Sequence, residues 1–271
     1  MKVLTKEQSE FYKDQGYLII ENFLRPAELQ LLLGELDRLV EEKARNLSKD
    51  EGGFNLEKKQ TGEEINSFRG EPVGQGILRK IQEITAYSPV FRDFVHGDKM
   101  LDLVEDLIGD TIYYHSSKLM FKPAHHGAAK PWHQDYAYWA STKPEQVTCW
   151  MALDEATPEN GCMQLIPGSH KWGLIKHYKE ELQIDLKNVP QDKVKIAPMK
   201  PGSILVFHVL MLHYSAPNTS DKGRRALIAD YDPNPRLSKL GFSEDLLLRL
   251  HGRKPTAEEV ATHRGEVLTP A

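Results

Sequence analysis

Only two cysteines, Cys149 and Cys162, occur in 271 residues, and they form neither a CxxC pair nor part of a histidine cluster. That scarcity argues against a disulfide scaffold or a structural zinc ribbon and makes a reducing compartment the expected setting. Long apolar runs are also missing. The best of them, YLII and ILVF, are far too short to span a bilayer, so no membrane association is expected. The opening residues MKVLTKEQSEFYKDQ carry no apolar core of signal-peptide length, and the Leu-Thr-Pro-Ala end is neither a peroxisomal Ser-Lys-Leu address nor a lipidation signal. A cytoplasmic location follows as the expectation. Nor does one sign of charge dominate: Lys+Arg 35 against Asp+Glu 39 gives a formal net charge of -4 with both signs scattered, which offers a nucleic-acid backbone nothing to hold. The oligomeric state leaves no trace in the sequence.

What is present, 40% hydrophobic and 27% charged residues, suits one globular domain over residues 1–271. Thr5 and Gln8 form a capping box ahead of Gly16, which predicts a helix over 5–15, and a short strand over 17–20 should follow. Pro26 and the stripe Leu29, Leu32, Leu33, Leu36 and Leu39 predict an amphipathic helix to about residue 45. The charged segment 46–76, with Gly52, Gly53, Gly62, Gly70, Gly74 and Gly76, reads as an irregular connection. Helical periodicity returns over 78–86 and 99–108, so residues 1–109 are expected to form a helical region. After Gly109 come short β-rich runs separated by turn clusters: TIYYHSSKLMF, HQDYAYW, QVTCWMAL, CMQLI, KVKIA, SILVF and RALIADY. This pattern predicts an α+β fold with an antiparallel jelly-roll core over 110–235 and the amino-terminal helices packed outside it. The tail, 236–271, reads as helical from Ser243 onward.

Most of the eleven histidines need no function. His133 and Asp135 stand apart because they are two residues apart in PWHQDYAYW, which reads as the start of a strand and so points both side chains to one face. A metal needs a third ligand, and the downstream stretch PGSILVFHVLMLHYSAPNTSDKGRRALIADY supplies His213. Two imidazoles and a carboxylate make the facial triad of non-haem Fe(II) oxygenases, with open positions for a co-substrate and dioxygen. Zinc favours four-coordinate closure, usually with a further nitrogen or sulfur ligand, and fits this set less well. Beyond the PNTSDKG turn, Arg224 opens the next strand, where its guanidinium can return to the pocket and clasp the far carboxylate of a dicarboxylic oxo-acid. Arg225 competes for that role, and strand alternation should point only one of the pair inward. Two surface arginines are the plain alternative.

These residues together resemble the phytanoyl-CoA dioxygenase family of Fe(II)- and 2-oxoglutarate-dependent oxygenases. The likeness runs from about Arg79 to Tyr231 and rests on LRKIQEI, KLMFKP, HQD, CWMALDEATPENGCMQLIPGSHKWG and FHVLMLHYSAPN followed by Arg224. It implies that His133, Asp135 and His213 bind iron and that Arg224 holds the 2-oxoglutarate C5 carboxylate with help from Ser215. It also implies that Trp150 lines the co-substrate pocket and that Lys80 contacts 2-oxoglutarate, although LRKI alone reads as a helix surface. Lys118, where such proteins often place methionine, adds a second cation near the oxo-acid. Gln134, between two iron ligands, faces away from the metal by alternation and is kept as a secondary pocket contact. Tyr136, Tyr138 and Trp139 continue toward the substrate side, and His208 is assigned a structural duty.

The implied activity is oxidation, most simply hydroxylation, of a small-molecule or acyl substrate by dioxygen, with release of succinate and CO2. Halogenases in this family replace the carboxylate ligand by a small residue; Asp135 is retained here, which favours hydroxylation. The continuation after the aspartate that marks ectoine hydroxylases is not reproduced. The competing expectation is a jelly-roll protein that binds a metal or small acid without catalysis.

Overall fold

Thr5 caps helix α1 (Lys6–Gln15): its hydroxyl accepts from the Gln8 amide, the Gln8 side chain accepts from Thr5 N, and Gly16 closes the helix at φ 77°. Strand β1 (Tyr17–Ile20) follows at once. Helix α2 (Pro26–Leu39) places Pro26 in its first turn, where no backbone donor is needed, and one π-helical turn, Val40–Ala44, extends it. Its stripe Leu32, Leu36 and Leu39 is at most 1% exposed, and each such burial stabilises the fold by roughly 1.5–3 kcal/mol. The computed structural model describes residues 1–60, 70–138, 143–178, 182–235 and 246–268.

The next segments depart from expectation. Within 46–76, β2 (Phe54–Leu56) pairs with β3 (Leu78–Gln82), and β3 replaces the first portion of the helix expected over 78–86. Leu78 and Ile81 have helical spacing, but β3 is hydrogen-bonded on both edges, to β2 and to β4, and that ladder overrides local periodicity. Glu83 then turns the chain at φ 51° into α3 (Ile84–Tyr87), followed by α4 (Pro89–Val95) and α5 (Asp98–Ile108). The amino-terminal region up to Gly109, expected to be helical, is therefore mixed, with three strands among its helices.

The remaining strands are β4 (Ile112–Lys122), β5 (Lys130–His133), β6 (Val147–Ala152), β7 (Met163–Leu165), β8 (Lys195–Ala197), β9 (Ile204–His208), β10 (His213–Ser215), β11 (Arg224–Asp232) and β12 (Leu246–Arg249). They form two sheets. The larger runs β1-β9-β6-β11-β4-β3-β2, with β12 also joined to β4; the smaller runs β5-β10-β7-β8. Strand β12 corrects the wholly helical tail expected over 236–271, because Leu247 and Leu250 bury against Tyr113 and the backbone pairs with β4 before α6 (Ala257–Leu268) begins. The start of that tail, Ser243 included, lies outside the described residues.

Alternation along β11 builds both sides of the larger sheet. Leu227, Ala229 and Tyr231 face the helices and join a core with Leu36, Phe91, Val95 and Leu103, and the Tyr231 hydroxyl donates to Val95 O at 2.7 Å. Ala226 and Ile228 face the other way, into a cluster with Trp150, Met163 and Leu165 that joins the two sheets. Arg224 and Asp230 share this inner face, so the pattern that fills the core also aims polar groups between the sheets. Among the described residues, no helix is long and apolar enough to cross a membrane. Replacing the cap in Thr5→Ala should lower unfolding free energy by about 1 kcal/mol, read as a shifted midpoint with unchanged slope in urea denaturation; an unshifted midpoint would contradict the capping account.

Candidate active site

His133 ends β5, Asp135 opens a 3-10 turn, and His213 begins β10, directly opposite His133 in the strand register. The spacing of His133 and Asp135 thus works by a different geometry from the one expected: the strand stops at His133, and the turn, not strand alternation, brings the carboxylate back. His133 Nε2 lies 3.4 Å and His213 Nε2 3.7 Å from Asp135 Oδ1, and one ligand atom from each of the three residues falls within 4.8 Å of the others. Both imidazoles are oriented by the backbone. Nδ1 of His133 donates to Pro131 O at 2.7 Å and Nδ1 of His213 donates to Met211 O at 2.9 Å, which fixes the tautomer and leaves each Nε2 lone pair facing the carboxylate.

Burial, reinforced by the neighbouring His213, lowers the His133 pKa to about 3, and burial lowers that of His213 as well. Burial opposes ionisation of Asp135, yet His213 and His133 hold its carboxyl well below the ordinary carboxylate range. The set is therefore two neutral imidazoles and one carboxylate at neutral pH, the donor form a divalent ion requires. The other carboxylate oxygen is fixed by a residue the sequence did not single out. Thr148 Oγ1 lies 3.1 Å from Asp135 Oδ2 and 2.8 Å from Asp230 Oδ1, so its one proton is shared between two carboxylates.

Arg224 sits on the inner face of β11, 3% exposed, with its guanidinium 5.0 Å from the Trp150 ring. Its Nη2 donates to Gly161 O at 3.0 Å and Ser215 Oγ at 3.4 Å; its Nε is buried with no partner, and no carboxylate among the described residues pairs with it. Burial brings its pKa down to about 10, so it stays charged at neutral pH. Arg225 points outward to Asp154 and Asp37, so of the two arginines only Arg224 faces the interior. Lys122, opposite Arg224 in the ladder, is also buried, pairs with no carboxylate among the described residues, and donates to Ala128 O and Ala216 O at 2.6 Å each. Burial and the nearby Arg224 push its pKa well down. A buried guanidinium whose only acceptors are neutral is the arrangement a ligand carboxylate completes, so the residues fit a 2-oxo acid.

Both groups line one cavity of about 720 Å³, which Trp150, Lys80, Lys118 and Ser215 also line. Ser215 Oγ donates to Gly161 O at 3.0 Å. Lys80 reaches the wall from strand β3, not from a helix surface. Gln134 is not brought to the cavity: its amide donates to Gly173 O and Leu210 O and accepts from Ile175 N, fastening the 173–175 segment. Tyr138 lines the cavity, Tyr136 does not appear among its lining residues, and Trp139 lies outside the described residues. His208 keeps to a structural place, its Nδ1 accepting from Leu210 N at 3.1 Å. Gly161 is readable from sequence only as a turn residue. At φ 79°, with a Cβ there 2.3 Å from Ala216 O, no larger residue fits, and its carbonyl serves both Arg224 and Ser215.

A buried His-Asp-His set beside an unpaired guanidinium is the donor chemistry of a non-haem iron oxygenase that uses a 2-oxo acid. Residues 12–226 match the family model for phytanoyl-CoA dioxygenase (PhyH). The chain is 30% identical over 259 residues to a probable alpha-ketoglutarate-dependent hypophosphite dioxygenase of Stutzerimonas stutzeri, covering 91% of this chain and 86% of that one. It is 26% identical over 237 residues to the human peroxisomal phytanoyl-CoA dioxygenase, covering 83% and 67%. Its fold is similar to that of EctD from S. alaskensis with 2-oxoglutarate and 5-hydroxyectoine, with a TM-score of 0.69, 24% identity and 84% and 76% coverage. The chain belongs to the phytanoyl-CoA dioxygenase family and is an iron- and 2-oxoglutarate-dependent dioxygenase.

The buried neutral histidines make the metal-free protein sensitive to acid. His133 titrates near 3 and His208 and His96 near 4 when folded, against about 6.5 in an unfolded chain. Between those values the unfolded state binds more protons, so stability is full above the unfolded pKa and falls as pH drops below it. The melting temperature of the apoprotein should decline between pH 7.5 and 5, before most carboxylates titrate; a flat profile over that window would contradict the assignment.

Proposed function

We propose that this dioxygenase hydroxylates, or similarly oxidises, a C–H or comparable bond of a small molecule, with iron on His133, Asp135 and His213 and 2-oxoglutarate on Arg224 and Ser215. The two sheets are read as one jelly roll, supported by a path that passes back and forth between them from β4 to β11. Iron bound there supplies, with dioxygen and 2-oxoglutarate, an oxidant for an unactivated bond, and the co-substrate leaves as succinate and CO2. The chain's role is to position and to exclude water. Arg224, Ser215 and the Trp150 face fix the far carboxylate, Lys80 adds positive charge on the cavity wall, and the inner core of both sheets keeps solvent from the reacting end. Hydroxylation is preferred to halogenation because Asp135 fills the position that a halide would need. A cytoplasmic location belongs to the same proposal, supported by two cysteines that are free and buried.

The observation that carries the reading is Arg224, a buried cation that pairs with no carboxylate among the described residues. Anaerobic addition of Fe(II) and then 2-oxoglutarate to the apoprotein should produce the weak visible charge-transfer band of the chelated oxo-acid. Arg224→Ala should raise the half-saturating 2-oxoglutarate concentration at least tenfold, a loss of about 1.4 kcal/mol or more, and His213→Ala should give no band. Unchanged 2-oxoglutarate affinity in Arg224→Ala would refute the anchor, and absence of the band in wild type with iron bound would favour a non-catalytic binding protein.

A further inference from the structure

We propose that the substrate oxidised at this site carries an oxyanionic acid group, a carboxylate or a phosphorus oxyacid, which docks on the ammonium of Lys118. The proposal rests on the dioxygenase reading above and names its substrate class.

The inner face of the larger sheet presents its side chains in rows. Lys122 and Arg224 form one row; Lys118, Ile228 and Trp150 form another; Ser116, Asp230 and Thr148 form the next, and Thr148 touches Asp135. Lys118 therefore enters beside the triad, four residues along β4 from Lys122, a separation of roughly 13 Å. Its row lies between the row from which Arg224 projects and the row whose Thr148 touches Asp135.

Two other positive groups at this cavity have defined work. Arg79 is paired with the buried Glu57 at 3.0 Å, and Lys122 is held by backbone carbonyls. The nearest carboxylate oxygen to Lys118 Nζ among the described residues is Asp230 Oδ2 at 4.0 Å, beyond hydrogen-bond range. That oxygen already accepts from Ser116 at 2.7 Å, and the other oxygen of Asp230 is 2.8 Å from Thr148. Lys118 thus presents ammonium protons to the cavity, and its side chain is 22% exposed there. Across the cavity on β5, Lys130 Nζ lies 2.6 Å from the Tyr138 hydroxyl and adds a second positive charge near His133. Both lysines line the cavity that His133, Asp135 and His213 also line.

Of the acids at this end, Asp230 is held by Ser116 and Thr148, Asp135 is held by Thr148 and belongs to the metal-binding set, and Glu83, its pKa raised by burial, accepts from the Tyr114 hydroxyl at 2.8 Å. A neutral substrate would strip water from Lys118 and return nothing, whereas an oxyanion makes a charge-assisted hydrogen bond with it. The local field thus selects for a negatively charged substrate and holds its charged end to one side of the metal, leaving the remainder of the molecule over the open face.

The test uses the anaerobic Fe(II) and 2-oxoglutarate complex of the full chain, with 2-oxoglutarate saturating so that Arg224 is filled. Propionate, methylphosphonate and the neutral isostere propionamide are then titrated, reading the shift of the visible band and, by ligand-observed NMR, direct binding. Either anion, or both, should perturb the band saturably while propionamide does not; which anion acts at lower concentration distinguishes a carboxylate from a phosphorus oxyacid. Lys118→Met should raise the half-saturating anion concentration at least tenfold, and more than it changes that of 2-oxoglutarate, while Lys118→Arg stays within threefold of wild type and controls for misfolding. An equal response to propionamide, or an undiminished anion response in Lys118→Met, overturns the proposal. So does a Lys118→Met variant whose defect is confined to 2-oxoglutarate, because the lysine then serves the co-substrate. Absence of the band before any anion is added defeats the underlying dioxygenase reading and the proposal with it.

Discussion

A desolvated positive charge that pairs with no carboxylate among the described residues organises this molecule. Arg224 is buried between two sheets, its guanidinium over the Trp150 ring and its donors on a backbone carbonyl and a serine hydroxyl, and Lys122, opposite it in the ladder, likewise donates to backbone carbonyls. The buried guanidinium, held by neutral oxygens, raises the local potential, and its burial is costly until an anion arrives. The fold tolerates that cost because apolar side chains of the two sheets, Ala226, Trp150, Met163 and Leu165 among them, pack in a single cluster on the same face. The strain of an uncompensated charge is concentrated where a dianionic co-substrate relieves it.

The triad depends on the same two-sheet construction. β5 and β10 are neighbours in the smaller sheet, so His133 and His213 meet across a strand pair, while the Asp135 carboxylate is steadied by Thr148 of the larger sheet. The metal-binding groups thus tie one sheet to the other. Each histidine has its outward nitrogen fastened to a carbonyl two residues before it, His133 to Pro131 and His213 to Met211, a repeated local device that presents Nε2 in the required tautomer before any ion binds. Along β4 and β11 the two-residue period then spaces the chemistry: arginine at one end, Lys118 midway, and the serine, threonine and aspartate that support the metal ligand at the other.

Much of this is legible in the sequence, for reasons that differ from element to element. The capping box at Thr5, the leucine stripe of α2 and the alternation of RRALIADY are local signals, and local physics is enough to read them. The pair His133 and Asp135 stands out by its spacing, yet the strand expected to align it ends at His133, because the aromatic-rich stretch HQDYAYW reads as β while tertiary contacts fold it into a turn. That is also why Gln134 turns to Gly173, Leu210 and Ile175 and stays away from the cavity. The run LRKIQ carries helical spacing and becomes a strand because β2 and β4 offer it ladders from distant sequence. Thr148, Asp230, Gly161 and Lys122 are invisible as site residues for a related reason: none has a short-range signature, and each acquires its role from a partner in another strand or loop.

The central claim is that one buried arginine and one His-Asp-His set hold the co-substrate and the metal in the same cavity. A crystal structure of the protein grown anaerobically with Fe(II) and 2-oxoglutarate tests it most directly. The account predicts an ion bound by His133 Nε2, His213 Nε2 and an Asp135 oxygen, with the far carboxylate of 2-oxoglutarate paired to the Arg224 guanidinium and in reach of the Ser215 hydroxyl. An ion held elsewhere, or a 2-oxoglutarate whose far carboxylate leaves Arg224 unpaired, would contradict it.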